Sequence, residues 1–547
     1  MTDPNPPRRR LAWIAFGAAV LVGAAIRLDQ IARQIPGDDE WHSLRALLTQ
    51  TYGWIATHFG LSDHSIPLTL YEKLLADTIG LSELGMRAPS LLAGLASLVA
   101  IPLLLRPAIG LKASVILAWL LAISPLHVYY SRYARPYAPA LLLTVVAVIA
   151  FDRWRRERGA GWAVLFVVAA TLGPWFHPIF LPFTLAPLAW VAARRIFGKE
   201  GAESAPGAVW PLLLGCAIGL AALLGPPIWS DFQGLSSRSE GAGAGLASPD
   251  EVFELMSGAN RPFLAFGFGL AVLLGLVAMR RRWSGVMGCL VFAGACQAGA
   301  ILAVGPAEIR TPITTARYLL PAFVVLLAVA ALGLEHLDAL LRKEWRWIPP
   351  HAFTVVLGVS LLAFGPLPAI HYRPNDFTNH TVFQYDYAPN FPHNFASKNF
   401  GLKKIPEFYL RLHDEPAGGR SIVEAPWYYE WHRQPFALYQ RVHRWPVLVG
   451  FIARPGEPLP LGELPMTDPR FRMRSFVHVS DLDGMRERNV RYVVFHRNPP
   501  RQPDDDMHPS LAGTEAWISE YRELVGEPCY TDEDLCVFDL GLPMQPR

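Results

Sequence analysis

The chain has 547 residues, 52% of them hydrophobic and only 17% charged, with 48 prolines and 17 tryptophans. A soluble domain carries about 25% charged residues, so this composition excludes an ordinary water-soluble protein. The formal net charge of +3 is too small to suggest nucleic acid, and its sign matters less than where the charges fall.

In chain order, Arg8-Arg9-Arg10 precedes an apolar run from Leu11 to Ile26. No small-residue cleavage site follows, so the run reads as a retained first span with its basic end in the cytoplasm. Asp38-Asp39-Glu40 comes next. Charge is costly in hydrocarbon, so this triplet is expected outside, at about headgroup depth. A carboxylate there can act as a general base on a substrate held partly in the membrane; the plainer reading is a solvated loop charge. Trp41, Leu44, Leu47, Leu48, Ile55 and Phe59 recur at helical spacing and predict an amphipathic helix in the interface. A second is expected over Leu68 to Ile79, giving outer interface helices at about 40–80.

Ten further apolar runs follow: Ala88–Leu105, Ala113–Tyr130, Pro136–Phe151, Trp162–Phe176, Ile179–Ala193, Ala208–Trp229, Phe263–Met279, Gly285–Val304, Tyr318–Leu334 and Ala352–Ile370. About eleven spans are therefore expected. Cys216, Cys289 and Cys296 fall within them as packing residues. Every second loop is basic, carrying Arg106 and Lys112, Arg153 to Arg158, Arg194-Arg195-Lys199, Arg280-Arg281-Arg282, and Arg342-Lys343-Arg346. That alternation places the C-terminal part outside the cytoplasm. The outer loop from Ser230 to Gly258 holds Gly241-Ala242-Gly243-Ala244-Gly245, a candidate mobile lid. Its glycines follow no strand, so they make no dinucleotide site.

From about His371 the composition becomes that of a soluble domain, 371–547. Strands are expected at Ser421–Ala425, Val447–Ile452, Ser475–Val479, Tyr492–His496 and Leu535–Phe538, with helices at Asp481–Arg488 and Leu511–Val525. The alternation predicts a small α/β domain with a mostly parallel sheet. Asp504-Asp505-Asp506 reads as a solvated turn, and Asn379-His380-Thr381 is formally a glycosylation sequon. Cys529 and Cys536 are either a disulfide or two free thiols.

Arginines on the outside run against the topology trend. Arg132 and Arg135 stand in the segment Tyr129 to Tyr137, and Arg317-Tyr318 opens the tenth span with Arg310 nearby. Arginine offers a planar fork of donors that fits phosphate oxygens. The alternatives are snorkelling to headgroups or an ion pair with the acidic triplet. Carboxylates and arginines on one outer face suit a phosphate-activated donor attacked by a hydroxyl.

These segments resemble the GT-C glycosyltransferases of the protein mannosyltransferase and aminoarabinose transferase type (family 39). The matching residues are Asp39-Glu40, then Asp63-His64-Ser65-Ile66-Pro67-Leu68 with Tyr71, Leu84 to Ser90, Ser124-Pro125, and Ser131 to Tyr137. The resemblance is dense over residues 35 to 150 and thinner through spans five to ten. One departure is that relatives commonly have two prolines after the histidine, where this chain has Ser65-Ile66-Pro67. The resemblance implies an inverting transfer from a polyprenyl-phosphate sugar to a lipid, glycan or protein acceptor on the outer side of a bacterial inner membrane. It implies Asp39 as the base, with Glu40 beside it and Asp38 able to substitute. Arg135 and Arg317 would face the donor phosphate, with Arg132, Tyr137 and Tyr318 in the same substrate site. Asp63 and His64 would line the cavity for the acceptor or a divalent metal; no cofactor is assigned. The competing classes are a secondary transporter, which would show repeats and mid-membrane charges, and a non-catalytic membrane subunit.

Overall fold

The computed structural model describes residues 6–34, 36, 40, 43–60, 64–196, 209–236, 247–280, 285–306, 309–345, 347, 349, 351–368, 404–426, 436–452, 470–474, 476–498 and 513–541. Asp38, Asp39, Asp63, the Gly241–Gly245 tract, the sequon and Asp504 to Asp506 lie outside the described residues. Contacts divide the chain into two units. One comprises Met1–Asp29, Tyr52–Leu70 and Arg87–Pro368; the other comprises Gln30–Thr51, Tyr71–Met86 and Ala369–Arg547.

In chain order the helices up to Pro368 are α1 (Pro6–Leu28), α2 (Leu44–Thr49), α3 (Tyr52–Thr57), α4 (Ile66–Thr78), α5 (Glu83–Ile109), α6 (Leu111–Ile123), α7 (Pro125–Ser131), α8 (Tyr137–Glu157) and α9 (Ala160–Phe176). A 3-10 turn, Pro178–Phe180, leads into α10 (Leu181–Ile196). Then come α11 (Trp210–Ser230), α12 (Phe232–Ser236), α13 (Pro249–Ser257), α14 (Pro262–Met279), α15 (Val286–Val304), α16 (Pro312–Tyr318), α17 (Leu320–Glu344) and α18 (Ala352–Phe364).

Seven of these, α1, α5, α8, α11, α14, α15 and α17, are long and apolar enough to cross a membrane. The pair α6 and α7 makes an eighth, bent by 64°. The remaining three expected spans match shorter apolar helices: α9, the segment from Pro178 to Arg194, and α18. At about 1.5 Å per residue, a helix the length of α9 reaches roughly 25 Å, short of a hydrocarbon core of about 30 Å. The protein is an integral membrane protein of the helical, polytopic class.

The bend between α6 and α7 corrects the expectation of one continuous span over Ala113–Tyr130. Pro125 disfavours helical backbone in the residue before it, and Ser124 adopts φ −66°, ψ 118°. The Ser124 hydroxyl then caps α7 by accepting the His127 N–H at 3.2 Å. Breaking the helix strands its last carbonyls. Arg27, fully buried at the end of α1, collects them: it donates to Leu121 O at 2.9 Å and to Ala122 O at 3.2 Å. The same guanidinium reaches Ser131 Oγ at 3.2 Å and His127 Nδ1 at 2.6 Å. Elsewhere in this unit α14 and α17 cross backbone against backbone. A Cβ on Gly275 would strike the Val329 carbonyl oxygen, and one on Gly333 would strike that of Ala271.

The single interface helix expected from Trp41 to Phe59 is two short ones, α2 and α3. Gln50 between them is extended, at φ −117° and ψ 150°. The second expected helix is α4.

The second unit contains a six-stranded sheet of β1 (Ser421–Ala425), β2 (Val447–Phe451), β3 (Phe476–His478), β4 (Val490–His496), β5 (Tyr530–Thr531) and β6 (Leu535–Asp539), in the order β3-β2-β1-β4-β6-β5. The pairs β3–β2, β2–β1 and β1–β4 are parallel, and β6 and β5 close the sheet antiparallel. Among the described residues from 404 onward four helices accompany it: α19 (Glu407–His413), α20 (Phe436–His443), α21 (Leu482–Glu487) and α22 (Thr514–Leu524). Trp517, Ile518 and Tyr521 of α22 bury against Val423, Val493, Phe495 and Phe538. Glu424, wholly buried in β1, is satisfied by His496 Nε2 at 2.6 Å and by the Tyr409 hydroxyl at 2.8 Å. Cys529 and Cys536 are free thiols: Cys529 Sγ points to the Val537 carbonyl at 3.4 Å, while Cys536 is buried in β6.

Candidate functional site

The corner between α7 and α8 is an aromatic knot. Tyr129 meets Tyr130 and Tyr133 at 4.9 Å between ring centroids, and Tyr130 meets Tyr137 at 4.8 Å. Ser90 of α5 fixes the corner by donating its hydroxyl to Arg135 O at 2.8 Å. Glycine at position 94 lets α5 approach, since a Cβ there would collide with Ser131.

Tyr137, almost wholly buried, is the hub. The Arg135 guanidinium carbon sits 6.0 Å from its ring centroid and that of Arg317 sits 5.5 Å away. Arg317 also lies 5.3 Å from the ring of Tyr318. A cation within about 6 Å of an aromatic centroid gains from the ring quadrupole. His177 stacks on Tyr137 at 5.4 Å and meets Tyr318 at 5.8 Å. His64 stands 6.2 Å from His177, with the two rings 20° from parallel.

Three residues hold this group together. The His177 ring accepts the Ile179 N–H at Nδ1 over 3.3 Å, capping the 3-10 turn. That leaves Nε2 as the protonated nitrogen of the neutral ring. Gln297 of α15 is fully buried. Its Nε2 donates to Ile179 O at 2.9 Å and to Tyr318 O at 3.0 Å, and its Oε1 accepts from Phe183 N at 3.2 Å. One amide thereby ties the turn bearing His177 to the helix end bearing Arg317 and Tyr318. Asp231, after α11, accepts the N–H groups of Phe59 and Gly60 at 2.8 and 2.9 Å. His64 adopts φ +63° and stacks on Phe59 at 5.3 Å.

Of the residues expected from sequence, His64, Arg135, Tyr137, Arg317 and Tyr318 converge here. Arg132 is fully buried and donates to Ile26 O at 2.8 Å, at the carboxyl end of α1. Glu40 is buried within the second unit, while Asp38, Asp39 and Asp63 are outside the described residues. His177, Gln297 and Asp231 were not anticipated. Their signals are a histidine between two prolines at the end of an apolar run, a lone amide inside a span, and a carboxylate just past another span. Among the described residues no three His, Cys, Asp or Glu side chains are grouped to hold a metal ion.

No protein-family model and no curated protein matches the chain. Among solved structures it is similar to ArnT from Cupriavidus metallidurans in the apo state, at 13% identity over 97% of this chain and 98% of that one, with a TM-score of 0.43. It is also similar to the same protein bound to undecaprenyl phosphate, at 13% identity over 98% and 99%, with a TM-score of 0.39. A third is the Archaeoglobus fulgidus oligosaccharyltransferase in complex with zinc and sulfate, at 16% identity over 88% of this chain and 67% of that one, with a TM-score of 0.39. At these scores the functional reading rests on the chain's own residues.

Proposed function

We propose that the protein is a membrane glycosyltransferase. It moves a sugar from a polyprenyl-phosphate donor to an acceptor hydroxyl on the outer side of the membrane. The observation that carries this reading is the convergence of Arg135 and Arg317 on the ring of Tyr137, with His64 and His177 beside them. Cations and ring donors gathered at helix ends suit an anion presented at headgroup level, and a lipid-linked phosphate is such an anion. The acidic segment Asp38-Asp39-Glu40 supplies the complementary chemistry. Asp39 takes the proton of the acceptor hydroxyl as its oxygen bonds to the anomeric carbon. The bond from that carbon to the phosphate oxygen breaks on the opposite side, and the electron pair leaves with polyprenyl phosphate. The arginines offset the charge that develops there. One in-line displacement inverts the anomeric centre. In this reading Glu40 and Asp63 complete the site, and residues 371–547 form a domain outside the cytoplasm.

The test is to incubate purified protein with polyprenyl-phosphate sugars and acceptor lipids or glycans and follow release of polyprenyl phosphate. Asp39→Asn keeps size and most hydrogen bonding but removes the basic oxygen, so turnover should fall by roughly 10²–10⁴-fold. Asp38→Asn in the same assay should remain active. The reverse result moves the base by one residue, and full activity in both variants abolishes the carboxylate mechanism.

A further inference from the structure

The acidic segment belongs to the same unit as the α/β domain, and the contacts that join them bracket Glu40 on both sides. Before it, Arg474 Nη2 donates to Arg33 O at 2.8 Å, and Arg474 is itself held by Arg488 Nη1 on its carbonyl oxygen at 3.4 Å. After it, the route runs through the segment that includes the end of α4. Phe471 pairs with Leu81 as an isolated parallel bridge, with Leu81 N donating to Arg470 O at 2.6 Å and Arg472 N to Leu81 O at 2.7 Å. Both side chains are buried. Gly80, at φ +87°, leaves room for the Arg472 side chain, which would press a Cβ there at 3.1 Å. Arg470 faces Asp77 at 3.8 Å, and Asp77 pairs with Lys73 at 3.4 Å. Lys73 Nζ then reaches back to Leu47 O at 3.2 Å, and the adjacent Glu72 accepts the hydroxyl of Ser43, three residues past Glu40.

We infer that the α/β domain is the positioning body for Glu40, with Arg474 and residues 470–472 as the residues that hold the described chain on either side of it. This deepens the proposed function and rests on the acidic segment supplying the base. A body that holds Arg33 before Glu40 and Ser43 after it restricts where the Glu40 carboxylate can stand. Misplacing a catalytic group by about 1 Å can cost on the order of 10²-fold in rate.

The experiment uses the full-length protein in detergent, with Arg474→Ala, the double variant Arg470→Ala/Arg474→Ala, and Arg474→Lys. Amide hydrogen exchange reads the clamp directly. Exchange in 30–51 should accelerate at least ten-fold in the double variant while that in 87–368 stays as in the wild type. In the release assay kcat should drop at least ten-fold with the donor KM unchanged, and Arg474→Lys, which keeps one donor, should recover part of the loss. Unchanged exchange in 30–51, or a KM effect without a kcat effect, overturns the inference. Exchange that rises in the double variant supports the clamp even if the wild type releases no polyprenyl phosphate. That last result would instead sink the reading of the acidic segment as the base.

Discussion

Arg135 carries the clearest expectation for a single side chain. Its guanidinium carbon lies 6.0 Å from the Tyr137 ring centroid, and in the proposed function its planar fork rather than its charge alone recognises the donor phosphate. Arg135→Lys keeps the charge and loses the fork. Donor affinity should fall by about ten-fold or more, visible as a raised donor KM in the release assay, with the protein still folded. A lysine variant that binds and turns over donor like the wild type would remove the phosphate role from this residue. In this group the arginines stood out in the sequence because their charge ran against the expected topology, and His64, Tyr137 and Tyr318 came from the motif resemblance. Gln297, His177 and Asp231 stayed hidden because what they do is long-range. Gln297 bonds to residues 118 and 21 positions away, and Asp231 to backbone 171 and 172 positions back. No local spacing encodes such a partner.

Among whole elements, the crossing of α14 and α17 makes the sharpest demand on sequence. Gly275 and Gly333 each place backbone where any Cβ would meet a carbonyl oxygen of the other helix, the arrangement small residues permit between spans. Gly333→Val should force the helices apart at a cost of about 1–3 kcal/mol. It should lower the thermal midpoint in detergent, with Gly269→Val, at a site where nothing stands within 4 Å, as the neutral control. Equal midpoints for the two variants would refute the close packing. Five of the six described strands were legible to within two residues, because short β-branched runs bounded by turn residues have few other uses; the two-residue β5 was missed because it is too short to show an alternation. Runs of apolar residues located all eleven helical regions but not their breaks. Hydrophobicity is continuous through Ser124-Pro125 and conceals the 64° turn there, and periodicity alone joined α2 to α3 across the extended Gln50. The α4 segment was found to within two residues, since its apolar spacing has no interruption.

At the level of the entire molecule, the alternation of basic loops predicts that residues 371–547 lie outside the cytoplasm. A phosphatase fused after Arg547, active only when exported, should be active; a fluorescent reporter that matures only in the cytoplasm should stay dark. The opposite pair of signals would overturn the orientation and with it the placement of the acidic segment. The division of the chain has a temporal consequence. Residues 30–51 and 71–86 share a unit with a sheet that begins only at Ser421. At about 5–20 residues per second, synthesis of the stretch from Met86 to Ala369 alone occupies on the order of 15–60 s. Throughout that interval Leu81 has no Phe471 to pair with and Arg33 no Arg474 to bind its carbonyl. During biogenesis the membrane-spanning helices therefore emerge ahead of the residues that 30–51 and 71–86 pair with, and these contacts form only after Arg474 has been translated.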